Sequence, residues 1–149
     1  MDWQSLLFRF DGRINRAKYW LVVLITFITA IVAMTIAIIL TGTLEGDTGF
    51  LAAVVVCLAL MAFCIWIGVA TAIKRLHDRE KSGWWLLLFY LVPSVLNGVS
   101  SVTDNPGGLL LAAVGFAISL WGFVELGCLK GTTGPNAYGP DPLPPEAAA

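Results

Sequence analysis

The feature that most constrains this chain is where its basic residues stand relative to four hydrophobic runs. All nine Lys and Arg residues occupy segments that four successive membrane crossings would leave on one side. Arg9, Arg13, Arg16 and Lys18 precede the first run. Lys74, Arg75, Arg79 and Lys81 separate the second from the third, and Lys130 follows the fourth. The two remaining connections carry Glu45, Asp47 and Asp104 and no basic residue. Short loops rich in Lys and Arg stay cytoplasmic, so the sequence predicts a multi-pass protein with both termini cytoplasmic.

Composition supports this reading. The 149 residues are 58% hydrophobic and 13% charged, against roughly 45–50% and about 25% in soluble chains. The apolar residues form continuous runs, which lipid requires because each backbone amide must be satisfied within its own helix. The expected fold class is an all-α membrane protein with four transmembrane helices in an antiparallel bundle. Its spans are expected over about 19–41, 50–73, 84–102 and 108–129, each near the length a bilayer demands. The third is the weakest. It turns polar after Leu96 and contains Pro93, which removes one helical hydrogen bond and kinks the helix. Four spans with short connections use nearly the whole chain, so residues 1–142 form a single membrane domain and no soluble catalytic domain is expected.

The segment before the first span places Trp3, Leu6, Leu7 and Phe10 on one helical face, as in a short helix lying at the interface. The segment after the fourth holds Gly131, Gly134, Pro135, Gly139, Pro140 and Pro142. That composition excludes a helix and predicts an extended Pro/Gly-rich tail, with residues 143–149 disordered. Cys57, Cys64 and Cys128 lie inside hydrophobic runs and read as small apolar side chains, not as a disulfide framework. Gly108 and Ala112, Gly115 and Ser119, and Gly68 and Ala72 have the four-residue spacing that lets helices approach closely.

Three polar patches remain, all on the predicted cytoplasmic side. They are Gly12-Arg13-Ile14-Asn15-Arg16-Ala17-Lys18-Tyr19-Trp20, Lys74-Arg75-Leu76-His77-Asp78 continuing through Ser82-Gly83-Trp84-Trp85, and Gly131-Thr132-Thr133-Gly134-Pro135-Asn136-Ala137-Tyr138-Gly139-Pro140-Asp141-Pro142. In this order and spacing they resemble the YhaH/YhaI-like family of small bacterial inner-membrane proteins, over about Phe10 to Pro142. The resemblance implies a four-helix protein of the bacterial inner (plasma) membrane and no reaction, since the family is a domain of unknown function. Glu125 departs from it by standing where an apolar residue is expected.

Much of these patches has a structural reading. Trp20, Trp84 and Trp85 suit the headgroup level. Ser82 suits the N-cap of the third helix. Arg13 and Arg16 can pair with Asp78 or Asp141, and Arg75 stands three residues from Asp78 on one helix face. Glu125 is placed to pair with Arg75 or Lys130. His77, Asp78, Asn136, Tyr138 and Asp141 form a candidate polar network, with Asp141 near Arg13, Arg16 or Arg75. His77 is the only histidine, too few ligands for zinc, and no nucleophile elbow or phosphate-binding loop is present. No catalytic residue, metal, cofactor or nucleic-acid partner is expected.

The functional expectation is a non-enzymatic module whose cytoplasmic face binds anionic lipid or a protein partner, which includes a homo-oligomer. Arg13, Arg16 and Arg75 supply planar donors for a phosphate, Ser82 marks a helix start, and Trp20 and Trp84 flank the site. The alternative is a small transporter or channel subunit acting as an oligomer, supported by the broken third helix.

Overall fold

The computed structural model describes residues 7–44, 47–103 and 105–143. Trp3 and Leu6 of the amphipathic stripe, Asp104, and residues 144–149 lie outside them. Among the described residues the regular elements are all helices, with one isolated bridge in the tail. Helix α1 spans Arg16–Thr43 and α2 spans Asp47–Asp78. A π-helical turn, Leu87–Leu91, leads into α3, Val92–Ser101. Helix α4 spans Pro106–Phe123 and runs into a second π-helical turn, Val124–Cys128.

Each predicted hydrophobic run is therefore helical, but the runs are unequal. Among the described residues, three helices are long and apolar enough to cross a membrane: Arg16–Thr43, Asp47–Asp78 and Pro106–Cys128. The helix Leu87–Ser101 is shorter, and its length of roughly 22 Å falls below a hydrocarbon core of about 30 Å.

The chain packs as two compact units. Of the described residues, one unit contains 7–9 and those within Trp20–Thr71. On α1, Thr26 donates to Val22 O at 3.0 Å, Thr29 to Ile25 O at 2.9 Å and Thr35 to Ile31 O at 3.0 Å, each one turn back. Each hydroxyl is thus satisfied within its own helix, as an apolar solvent demands. Phe27, Ile38 and Val55 are more than three-fifths exposed, an apolar surface suited to lipid.

The other unit contains Phe10–Tyr19 and the described residues from Ala72 to Leu143. Its core is Ala72, Leu76, Phe89 and Leu126, with Tyr19, Trp85 and Ile118 packed against it. Helices α3 and α4 form a close hairpin, and the buried glycines Gly108, Gly115 and Gly122 make the approach possible. A methyl group on Gly122 would stand 2.9 Å from the Phe89 side chain, and one on Gly115 would stand 3.3 Å from the Asn97 amide. The effective spacing is seven residues along one face, wider than the four-residue pairs read from sequence. Pro93 is buried, and the π-helical turn directly precedes it, where Val92 N–H donates to Leu87 O. A proline collides with the carbonyl four residues back and lacks the N–H that would reach it, and a locally widened helix relieves both problems.

Candidate functional site

The three polar patches meet in the second unit, and Asp78 is the residue that joins them. It closes α2 and is 2% exposed. Arg13 donates to its Oδ1 through Nε at 3.1 Å and lies within 3.0 Å through Nη2. Arg75 donates to its Oδ2 from one helical turn back. The Asp78 carbonyl accepts the Thr132 N–H at 2.8 Å. Gly131 crosses directly over the carboxylate, and a Cβ there would fall on the Asp78 oxygens. Two buried guanidinium groups thus share one buried carboxylate. Such an arrangement survives only where the surplus donors find other acceptors.

They do. Arg13 sends Nη1 to Gly134 O at 2.7 Å and Gly139 O at 3.3 Å, and Nη2 to Thr132 O at 2.6 Å. Arg75, fully buried, sends Nε to Leu126 O at 2.9 Å, Nη1 to Ile14 O at 3.5 Å and Nη2 to Leu129 O. Arg16 reaches Cys128 O at 2.9 Å, and Arg79 reaches Lys130 O at 2.6 Å. The last carbonyls of a helix lack intrahelical donors and carry the negative end of its dipole. Here three arginines from other parts of the chain cap that end.

Glu125 lies in the second π-helical turn, 4% exposed. It accepts from Arg79 Nε at 3.0 Å and faces Lys81 Nζ at 3.7 Å. The expected partners, Arg75 and Lys130, are therefore corrected. Arg75 is held by Asp78 and backbone carbonyls, whereas the loop after α2 brings Arg79 and Lys81 to the carboxylate. That loop is a Schellman-type stop. Glu80 adopts a left-handed φ of 59°, while Lys81 N–H reaches Leu76 O at 2.9 Å and Glu80 N–H reaches His77 O at 3.0 Å. Lys81 also sits 4.3 Å above the Trp85 ring, a cation–π contact.

The tail closes on itself before it meets the helices. Asn136 and Gly139 exchange backbone hydrogen bonds at 3.0 and 3.1 Å. The Asn136 side chain accepts the Tyr138 N–H at 2.9 Å, the turn chemistry expected of asparagine. Its amide donates to His77 O at 2.9 Å. Tyr138 stacks on the His77 ring at 4.0 Å and 6°, and His77 Nδ1 lies 3.3 Å from Gly12 O. Asp141 accepts from Gly134 N–H at 2.7 Å and Leu143 N–H at 3.0 Å. Its role is to brace the tail loop, while Arg13 reaches the tail through carbonyls. The N–H groups of Leu143 and Gly134 hold the Asp141 carboxyl below the usual carboxylate range.

Of the other predicted residues, Ser82 enters the turn before the third helix through its carbonyl, which accepts Trp85 N–H at 3.2 Å. Trp84 is 77% exposed. Trp20 belongs to the first unit. Sequence reasoning missed Thr132, Gly131, Arg79 and Lys81 as members of the network. The unexpected acid at Glu125 was the one signal that a basic partner had to be near.

Beside the Asp78 junction lies a cleft of about 400 Å³, walled by Arg16, Lys130, Thr133 and Asp141 and floored by Arg75 and Asp78. Arg16 and Lys130 are exposed and Asp141 is half-buried. Among the described residues there is no cluster of His, Cys, Asp and Glu able to hold a metal ion.

The model of the family described as "Protein of unknown function (DUF805)" matches residues 7–140. The chain is similar to the inner membrane protein YhaH of Escherichia coli (strain K12), 29% identical over 95% of this chain and 97% of YhaH. It is 33% identical to the uncharacterized protein YiiR of the same organism, over 95% of this chain and 90% of YiiR. To the inner membrane protein YhaI it is 33% identical, over 89% and 85% respectively. No solved structure matches.

Proposed function

The chain belongs to the DUF805 family of proteins of unknown function, and on that premise we propose that it is a non-enzymatic module of the inner membrane. In this reading all four runs cross, antiparallel to one another, and both termini are cytoplasmic. The cytoplasmic face then binds the phosphate of a membrane lipid.

The observation that carries the proposal is the cleft beside Asp78 and the state of the arginines around it. Every N–H of Arg13 meets a protein acceptor, and Arg75 is fully buried. These two shape the floor. Arg16 and Lys130 keep donors available, and they stand where α1 begins and just beyond the second π-helical turn, at headgroup depth in this reading. Charge-assisted bonds from an arginine and a lysine suit a phosphate. Each basic group near an anionic surface contributes about 1 kcal/mol. The double variant Arg16→Gln, Lys130→Gln is expected to lower co-purified lipid in native mass spectra from mild detergent while the melting temperature stays near wild type. Unchanged lipid content in that variant would remove the site.

A second reading, a small transporter or channel subunit acting as an oligomer, draws on another cleft. About 260 Å³ in volume, it is lined by Tyr19, Tyr90, Ser94, Asn97 and Ser119 beside Pro93. Polar side chains within a membrane helix mark solute paths in many transporters. Solute flux in proteoliposomes that is abolished by Asn97→Leu would favour this reading.

A further inference from the structure

The cleft beside Asp78 is not uniformly basic, and this bears on its ligand. The inference rests on the lipid-phosphate reading above and names the headgroup. Arg16 uses one N–H for Cys128 O. Among the described residues, the Lys130 ammonium and the Thr133 hydroxyl make no hydrogen bond or ion pair. These groups can all serve a phosphate. The same cleft contains two carboxylates in different conditions. Both oxygens of Asp78 are taken by Arg13 and Arg75. Asp141 accepts one backbone N–H on each oxygen, and a carboxylate oxygen has two lone-pair sites. Asp141 therefore keeps acceptor capacity, and the two N–H groups hold it ionised throughout the neutral range.

We propose that this cleft recognises a phosphate ester that also carries a primary ammonium group, a zwitterionic headgroup of the phosphoethanolamine kind. The phosphate meets Arg16, Lys130 and Thr133, and the ammonium donates to Asp141. The phosphate of an anionic glycerol headgroup meets the same cations, but its hydroxyls offer Asp141 a neutral donor and no opposite charge. A trimethylammonium headgroup has no N–H to donate. A cleft of about 400 Å³ lies within the range of small-ligand sites. The recognised chemistry could be borne by a membrane lipid or by soluble phosphoethanolamine.

The test is native mass spectrometry of the full chain delipidated in mild detergent and offered equal amounts of three lipids. These are phosphatidylethanolamine, phosphatidylcholine and phosphatidylglycerol with matched acyl chains. The expected result is retention of phosphatidylethanolamine about three-fold above either competitor, the size of one exposed ion pair. Asp141→Asn should erase that preference while leaving phosphatidylglycerol retention intact, and Lys130→Gln should lower all three. Because the three-lipid comparison varies only the ligand, it stands even if the Asp141 variant unfolds. Equal or greater retention of phosphatidylglycerol by the wild type would overturn the headgroup assignment. If Lys130→Gln still lowers retention in that case, the lipid-phosphate reading survives. Equal retention of all three lipids, unchanged by Arg16→Gln and Lys130→Gln, would overturn both. Displacement of bound lipid by soluble phosphoethanolamine, more readily than by glycerol phosphate, would support the assignment with the headgroup alone as ligand. Lipid that resists such displacement, yet loses its preference in Asp141→Asn, would support it with the membrane lipid as ligand.

Discussion

Asp78 has the greatest leverage of any single residue in this chain, because two buried guanidinium groups depend on it. Replacing it with Asn leaves Arg13 and Arg75 with surplus charge in a buried setting, and breaking a buried pair typically costs about 3–5 kcal/mol. Asp78→Asn should therefore lower the melting temperature in detergent sharply, and a melt indistinguishable from wild type would show that the junction contributes little. Gly131→Ala should act on the same junction from the other side, since its Cβ would fall on the carboxylate. The effect of pH on the tail follows from Asp141. Its folded pKa lies below the ordinary value near 3.8, so its contribution is present above that value and is lost as pH falls through the lower, folded pKa. The N–H groups of Gly134 and Leu143 should thus keep their protection from hydrogen exchange down to about pH 4. Loss of protection near pH 6 would mean that another group governs the loop.

Two elements owe their shape to backbone problems solved locally. Helix α2 ends in a Schellman-type stop with Glu80 in the left-handed region, a conformation glycine adopts without penalty. Glu80 is exposed, so Glu80→Gly should stabilise the protein by up to about 1 kcal/mol. A lowered melting temperature would assign the Glu80 side chain a role beyond the turn. The hairpin of α3 and α4 depends instead on the absence of side chains at Gly108, Gly115 and Gly122. Gly122→Ala would bring a methyl group within 2.9 Å of Phe89, and overpacking of this kind costs about 1–3 kcal/mol. The loss should appear as a lower melting temperature, partly recovered by Phe89→Leu. The π-helical turn before Pro93 belongs to the same scale. The loss of a helical hydrogen bond was legible from the proline, but the widened turn was not, because that depends on which carbonyl the neighbouring chain leaves room to displace.

At the scale of the whole molecule, topology is the prediction with the clearest readout. Reporter fusions after Lys18, Lys81 and Lys130 should read cytoplasmic, and fusions near Asp47 and Asp104 external, because basic loops resist translocation. The helix Leu87–Ser101 makes the Asp104 position decisive, since it is shorter than the other three. A cytoplasmic reading there would mean that the third run enters the membrane without crossing it.

The sequence by itself determined that this is a helical membrane protein, where its apolar helices fall, and that its polar groups gather in three patches. Those properties are local. Run length must match a bilayer, backbone amides must be satisfied within each segment, and turn residues act on their immediate neighbours. Asn136 and Tyr138 form the turn their chemistry implies, and the Arg75–Asp78 pair follows from a three-residue spacing. The tertiary structure alone decided how the arginines divide their donors. Arg75 reaches Leu126 O, Arg79 reaches Glu125 and Arg13 reaches Thr132 O, each across more than forty positions of sequence. Several acceptors of similar strength compete for each guanidinium, and distance selects among them. A π-helical turn at Val124–Cys128 shifts the helix by a fraction of a turn, which is enough to change which carbonyl and which carboxylate stand within reach.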